Sequence, residues 1–294
     1  MTANRGGLVL HPHTKEQVAQ YVAKPVHAVM LVGLNGVGKT QLARTVLSAA
    51  LSLEDDKLAQ HPYFKIIGPD DKRTVSIDTI RELQRFLQLK TIGDQPYRRA
   101  IILEHAECLT AEAQNAYLKM LEEPPADTLM VLTVDNPRAL LPTILSRLQS
   151  ISVYAPAEDE LRDYFASAGK DTAAINQAYF LSGGLPGLMS ALLMGDETHP
   201  LLAGVADAKA VLQKSTFERL AMVEGLSKQK GNARYMLEAL QHIAQTGLDQ
   251  AGKKDDVGKI KQWHHILKIA STALDQLQNS GNPKLILSNV MLHI

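Results

Sequence analysis

An eight-residue segment behind a short apolar stretch constrains this chain more than any other feature of its sequence. Residues 28–32 read Ala-Val-Met-Leu-Val, which is typical of a strand buried on both faces of a parallel sheet. Residues 33–40 read Gly-Leu-Asn-Gly-Val-Gly-Lys-Thr and satisfy the pattern G-x-x-x-x-G-K-[ST] in full. Alanines and leucines at helical spacing follow. A strand, a glycine-rich turn and a helix in this order predict a phosphate-binding loop.

Each part of this segment has a chemical task in such a loop. Glycines let the backbone curl so that successive N–H groups point at phosphate oxygens, and the following helix adds its positive end. Lys39 would place a cation on the β- and γ-phosphates, and Thr40 would offer its hydroxyl to Mg²⁺. The sequence thus predicts bound ATP or ADP with Mg²⁺; the alternative is an ordinary glycine turn with a solvated lysine. The residues predicted to contact the nucleotide are Gly33, Asn35, Gly36, Val37, Gly38, Lys39, Thr40 and Gln41.

Apolar strands alternate with amphipathic helices through the first half of the chain. Residues 64–68, 100–103 and 128–134 are predicted to be further strands of the same buried type. Helices are predicted at 39–53, at 78–89 with Asp78 as N-cap, and from Thr110 to the double proline at 124–125, with a short helical turn at 143–148. This alternation predicts a doubly wound parallel α/β sheet.

The pattern changes near residue 154, beyond which only helical periodicities are found. We predict three domains, at residues 1–153, 154–203 and 204–294, with a polar loop at 250–257.

Composition excludes several classes of protein. Lys and Arg total 31, as do Asp and Glu, so the formal net charge is zero. A protein that wraps nucleic acid alone is usually basic, so any DNA contact should be local or shared with partners. Cys108 is the single cysteine, which excludes an intramolecular disulfide and a zinc module built from cysteines. Because the longest apolar run is far shorter than the about 20 residues of a membrane helix and no signal peptide is found, we expect a cytoplasmic protein without a membrane partner.

A second group of motifs resembles a known family. Residues 104–109 read Glu-His-Ala-Glu-Cys-Leu, residues 114–125 read Gln-Asn-Ala-Tyr-Leu-Lys-Met-Leu-Glu-Glu-Pro-Pro, and residues 146–148 read Ser-Arg-Leu. This succession resembles the AAA+ subunits of bacterial sliding-clamp loaders, above all the delta-prime subunits of DNA polymerase III. The resemblance is strongest from 28 to 150 and extends to Gly-Gly-Leu-Pro-Gly at 183–187 and Asn-Pro-Lys-Leu at 282–285.

The resemblance implies an architecture and a set of partners. It implies an AAA+ P-loop module with a parallel sheet, followed by a helical lid and an all-α collar. The collar joins five subunits into an open spiral, which opens a ring-shaped sliding clamp and places it on primer–template DNA. The implied partners are therefore the other clamp-loader subunits, the clamp, and DNA through the assembled complex.

The sequence departs from the family where ATP would be hydrolysed. Active clamp-loader ATPases carry Asp-Glu at the positions of Glu104 and His105. Glu104 keeps a carboxylate and, with Thr40, is the candidate Mg²⁺ site, whereas His105 replaces the glutamate that orients the attacking water. Asp135 is the first candidate for the sensor position and Thr133 the second. The segment in which the family has its lid arginine reads Leu-Pro at 185–186, and the four-cysteine zinc module of many relatives is missing.

Arginines supply the two remaining site predictions. In the family, the arginine of the Ser-Arg motif reaches the ATP of a neighbouring subunit, so the resemblance implies that Arg147 is a trans arginine finger; the alternative is a surface salt bridge. Five basic residues could contact DNA phosphates, or could form an ordinary solvated face. They are Arg81, Arg85, Lys90, Arg98 and Arg99.

These features together predict a mostly non-hydrolysing stator, which binds nucleotide and supplies Arg147 to a neighbouring ATPase during clamp loading. The alternatives are an active AAA+ ATPase, such as a gamma/tau-like motor or another remodeller, and a P-loop kinase. The kinase is disfavoured because the sequence offers no convincing acceptor site and its last third is helical.

Overall fold

The computed structural model describes residues 8–54, 57–70, 74–195, 200–228, 230–278 and 281–294. Contacts within the chain divide it into two compact units, one up to Pro156 and a second from Ala157. The predicted division into three domains, with boundaries at 153 and 203, stays a prediction. Within the described residues, no helix is long and apolar enough to cross a membrane.

The first unit is built on a five-stranded parallel sheet. Its strands are β1 (Ala28–Val32), β2 (Phe64–Ile67), β3 (Arg99–Leu103), β4 (Thr128–Val134) and β5 (Gln149–Ser152). Their spatial order is β2-β3-β4-β1-β5. The central strands β3 and β4 are buried at every position, because helices cover both faces of a parallel sheet. The predicted fold class is confirmed.

Five helices connect and cover these strands. They are α1 (Pro12–Ala23), α2 (Lys39–Ala50), α3 (Ile77–Leu87), α4 (Ala111–Glu122) and α5 (Pro142–Leu145). The amphipathic pattern of α3 is confirmed, since Ile80, Leu83 and Leu87 are all buried. Its N-cap was predicted wrongly, because Ser76, two residues before Asp78, accepts the hydrogen bond from the Thr79 N–H. Thr110 caps α4 as predicted.

The second unit contains only helices among its described residues. They are α6 (Glu158–Ser167), α7 (Thr172–Ser182), α8 (Pro186–Met194), α9 (Pro200–Gln213), α10 (Thr216–Lys228), α11 (Lys230–Lys253), α12 (Val257–Gln278) and α13 (Pro283–His293). The long helix α11 packs against α7, α9, α10 and α12.

Two details differ from the prediction. The polar loop expected at 250–257 is shorter, because α11 continues to Lys253 and α12 begins at Val257. The strand β5 was not predicted, because its sequence Gln-Ser-Ile-Ser lacks the apolar run that reveals the other strands. It forms nevertheless, since it pairs in parallel with β1.

Candidate nucleotide-binding site

Strand register brings the residues predicted to contact nucleotide and Mg²⁺ to one end of the parallel strands. Val32 at the end of β1 lies opposite Val134 at the end of β4, and Leu103 at the end of β3 lies opposite Leu132. The Gly33 N–H also donates to the Val134 carbonyl at 3.2 Å. Residues that follow these three strands therefore meet where parallel strands end, which is the edge where open α/β sheets bind their ligands.

The glycines of the loop have distinct structural tasks. Gly36 and Gly38 have φ angles of 84° and 95°, in the left-handed region that side chains disfavour. Gly33 is needed for a different reason, because a Cβ atom there would lie 2.5 Å from the Val153 carbonyl oxygen. No side chain caps the start of α2, where Gly38 is the N-cap residue. The loop thus has the open, curled geometry that suits a phosphate group, as the sequence predicts.

Lys39 is buried and lies within this loop. Its ammonium donates to the carbonyl oxygens of Gly33, at 2.9 Å, and Leu34, at 2.8 Å. It also pairs with Asp135 Oδ1 at 2.8 Å. Asp135, predicted as the sensor residue, is therefore the direct ionic partner of the phosphate-binding lysine. Among the other residues predicted to contact nucleotide, Val37 is buried and Gln41 is exposed.

Thr40 and Glu104, the two residues predicted to form a Mg²⁺ site, lie in contact with each other. The Thr40 hydroxyl donates to Glu104 Oε1 at 2.6 Å. Hydroxyl and carboxylate oxygens are hard donors of the kind that Mg²⁺ prefers, so this pair fits the ion. Mg²⁺ bound by them would neutralise phosphate charge on a nucleotide held by the loop.

His105 is held by carboxylates on two sides. Its Nδ1 lies 3.3 Å from Glu107 Oε1 and 3.6 Å from Asp135 Oδ2, and its backbone N–H donates to Thr133 Oγ1 at 3.1 Å. Hydrogen bonds to Asp135 and then Glu107 raise the pKa of His105 from 6.5 to about 9. A histidine that stays protonated at neutral pH cannot accept a proton from water, so it is a poor general base.

Asp135 is ionised in this arrangement. Burial would raise its pKa, but the hydrogen bond from His105 and the positive charge of Lys39 outweigh burial and lower the pKa to about 2. Its backbone N–H donates to Glu107 Oε2 at 3.3 Å. Glu107 was missed by the sequence prediction, and no pattern in the sequence marks it. Its role depends on the 3₁₀ turn at Ala106–Cys108, which returns its side chain toward β4.

Arg147 lies at the end of the sheet where the strands begin, whereas the phosphate loop lies where the strands end. In β5, Gln149 lies opposite Val29 and Ser152 opposite Val32, so Arg147 comes before the strand and the loop after it. At about 3.3 Å per residue, the two are separated by roughly 15–20 Å along the strands. Arg147 donates to Glu122 Oε1 at 2.8 Å and to the Thr143 carbonyl at 2.9 Å, at the surface. In this structure Arg147 therefore forms the surface salt bridge that was the alternative to a trans arginine finger.

The five basic residues proposed to contact DNA do not form one surface. Arg81, Arg85 and Lys90 are exposed. Arg99 is 1% exposed and donates to the carbonyl oxygens of Leu87 and Leu89, so its prediction as a phosphate contact is wrong. The physical reason is that Arg99 begins a central strand. Arg98 is half-buried and donates to the Thr91 hydroxyl, the Gly93 carbonyl and Asp127.

Known proteins resemble this chain in sequence and in fold. Residues 13–156 match the family described as DNA polymerase III, delta subunit. Through these residues the chain is similar to that family. It is 32% identical over 182 residues to DNA polymerase III subunit delta' of Pseudomonas aeruginosa, covering 56% of this chain and 55% of the relative. Identity to the Escherichia coli subunit delta' is 28% over 205 residues, covering 64% and 60%.

These alignments span about half the length of the relatives. A solved structure also resembles this chain, that of a DNA polymerase III gamma subunit-related protein from Thermotoga maritima. It superposes with a TM-score of 0.54 at 17% identity, covering 95% of this chain and 97% of the other. The structural likeness shows a shared fold, and the sequence match shows similarity to the family over residues 13–156.

Proposed function

We propose that this chain is a delta-prime-type subunit of a bacterial clamp loader that holds a nucleotide and supplies Arg147 to a neighbouring ATPase. The position of Arg147 carries the proposal. An arginine at the edge where the strands begin cannot reach the phosphate loop of its own chain, but it is exposed to a neighbour. A guanidinium is permanently charged and can donate two parallel hydrogen bonds to phosphate oxygens.

The surroundings of His105 support a stator over a motor. The residue in the position of the water-activating glutamate is a protonated imidazole between Glu107 and Asp135. Such a group cannot accept a proton from water, and its N–H would bind the water lone pair that must attack the phosphate. We therefore expect this subunit to bind ATP or ADP with Mg²⁺ and to hydrolyse ATP slowly or not at all.

The partners of the proposed function are macromolecular. They are the other subunits of a cytoplasmic clamp loader, the sliding clamp, and primer–template DNA contacted through the assembled complex. The match of residues 13–156 to the delta-subunit family is the support for these partners.

Reconstitution with the loader's motor subunits tests the role of Arg147. We expect Arg147→Ala to leave assembly intact and to lower DNA-stimulated ATP hydrolysis strongly, because a trans arginine is worth roughly 10³–10⁵ in rate at its site. Lys254→Ala is the control, since Lys254 is an exposed cation of the second unit, outside the unit that holds the phosphate loop. Unchanged hydrolysis by the Arg147→Ala complex would remove this residue from the mechanism.

The isolated chain tests the stator assignment separately. We expect no ATP turnover above background from the purified protein. Rapid turnover that Lys39→Ala abolishes would instead assign the chain as an active ATPase.

A further inference from the structure

The ammonium of Lys39 is fully occupied by groups of its own chain. An ammonium has three N–H donors, and three acceptors lie within 3 Å of Nζ: Asp135 Oδ1 and the carbonyl oxygens of Gly33 and Leu34. The side chains of Lys39 and Asp135 are only 5% and 11% exposed. A phosphate that needs this lysine must therefore compete with a buried carboxylate already paired with it.

Asp135 is held firmly in this position. It directly follows Val134, whose carbonyl accepts from the Gly33 N–H, so its backbone is tied to the loop itself. Its own N–H donates to Glu107, and its second carboxylate oxygen faces His105 at 3.6 Å. Movement of Asp135 away from Lys39 would have to disturb these contacts together.

The charge around Lys39 also opposes further negative charge. Glu104, Glu107 and Asp135 supply three carboxylates, against Lys39 and His105 as the facing basic side chains. Counted without a bound cation, these side chains are net negative whether or not His105 is protonated. In this type of loop the lysine serves the β- and γ-phosphates, whereas backbone N–H groups and the helix N-terminus serve the α- and β-phosphates. The backbone groups that hold the α- and β-phosphates are thus intact, while the lysine, on which the third phosphate depends most, is already paired with Asp135.

We infer that Asp135 makes this site selective for a nucleoside diphosphate over the corresponding triphosphate. The carboxylate of Asp135 stands in for the terminal phosphate as the partner of Lys39, so the γ-phosphate of ATP meets a like charge where ADP meets none. This inference rests on the proposed nucleotide-binding function and adds which nucleotide the subunit holds.

Calorimetric titration of the full chain with ADP and with ATP, each with Mg²⁺, tests the inference. We expect ADP to bind at least about tenfold more tightly than ATP. Asp135→Asn keeps the shape and removes the charge, so it should raise ATP affinity by about tenfold and bring the two nucleotides close to equal. Glu112→Gln removes one charge from an exposed position of α4 and should leave the wild-type ratio unchanged.

The wild-type ratio is informative even if Asp135→Asn does not fold, and circular dichroism checks that variant. Equal wild-type affinities would overturn the selectivity alone. Binding of both nucleotides only by Asp135→Asn would also overturn it, because Asp135 would then close the loop to every nucleotide. Absence of binding by both proteins would overturn the selectivity together with the nucleotide-holding part of the proposed function. The trans role of Arg147 is measured independently by the reconstituted loader.

Discussion

At the scale of single residues, Arg99 is a buried cation with a structural task. Its guanidinium donates to the carbonyl oxygens of Leu87 and Leu89, at and beyond the end of α3, where a helix leaves carbonyl groups without partners. It also lies over the Phe86 ring, 5.5 Å from the centroid. Burial lowers the pKa of Arg99, and the nearby Asp127 opposes that effect. One side chain therefore joins the last turn of a helix to the start of a central strand.

We predict that Arg99→Ala destabilises the protein by about 3 kcal/mol, because buried carbonyl groups lose their donors and Asp127 loses a cation. Urea denaturation measures the change. Arg81→Ala is the matched control, since Arg81 is exposed and its pair with Asp78 is worth about 0–1 kcal/mol. Equal stability of the two variants would contradict the structural role of Arg99.

His105 predicts a dependence of stability on pH. Its pKa in the folded protein is about 9, above its ordinary value of 6.5, so its contribution is complete below pH 6.5 and is lost as the pH rises toward 9. Full linkage is about 1.4 kcal/mol per pKa unit, and we expect about 2 kcal/mol in all because the ring is partly screened by solvent. Urea denaturation between pH 6 and 9.5, without metal or nucleotide, should show this fall for the wild type and a flatter profile for His105→Gln. Parallel profiles would show that the imidazole is not held as a cation.

At the scale of elements, helix α3 begins one residue earlier than the sequence suggests. Ser76 accepts from the Thr79 N–H as N-cap, whereas Asp78 is an exposed residue of the first turn that pairs with Arg81. We predict that Ser76→Ala costs about 1 kcal/mol, as loss of an N-cap does, and that Asp78→Ala costs less because only a surface pair and a helix-dipole contact are lost. Urea denaturation distinguishes the two residues, and a larger loss for Asp78→Ala would restore it as the cap.

Alanine substitution at two helical glycines is expected to change stability in opposite directions. A Cβ atom on Gly247 of α11 would lie 2.5 Å from the Trp263 ring of α12, whereas one on Gly225 of α10 would meet nothing within 4 Å. We predict that Gly247→Ala destabilises the protein by about 1–3 kcal/mol through overpacking. Gly225→Ala should stabilise it by about 0.5–1 kcal/mol, because alanine has the higher helix propensity. Denaturation followed by fluorescence of Trp263, the single tryptophan, measures both. An unchanged free energy of unfolding for Gly247→Ala would contradict this expectation, because α12 would then move away from α11 without a cost in stability.

At the scale of the whole molecule, charge balance limits how this chain meets DNA. Its net charge is zero, and of the five basic residues first considered, the exposed ones are Arg81, Arg85 and Lys90. We predict that the isolated chain does not retard duplex DNA at physiological salt. In the assembled loader, alanine at these three positions should reduce the slope of log affinity against log salt by up to about 2.7, since each phosphate contact contributes about 0.9. Alanine at the exposed Lys228, Lys254 and Lys261 is the control, and equal slopes for both sets would show that Arg81, Arg85 and Lys90 form only a solvated face.

Local chemistry allowed much of this protein to be predicted from its sequence. Buried parallel strands are mostly apolar, so β1, β3 and β4 could be predicted from their apolar runs. The glycine pattern at 33–40 specified a loop whose backbone turns in conformations that other residues disfavour. Glu104 was recognisable as an acidic residue at the end of an apolar strand, whereas the role predicted for Arg147 came from the resemblance of its motif to the clamp-loader family.

Only the tertiary structure decided which charges meet. The pairing of Lys39 with Asp135 depends on β1 lying beside β4, and the contact of Glu107 with Asp135 depends on β3 lying beside β4. No local pattern encodes this strand order. The burial of Arg99 likewise depends on its place at the start of a central strand, not on its basic neighbours in sequence. The sequence by itself determined the apolar strands, most of the helices and the phosphate loop, because these follow from residues near one another in the chain, whereas β5 required its pairing with β1. The electrostatic state of the site was decided by strand order, because Coulombic and hydrogen-bonding contacts act through space.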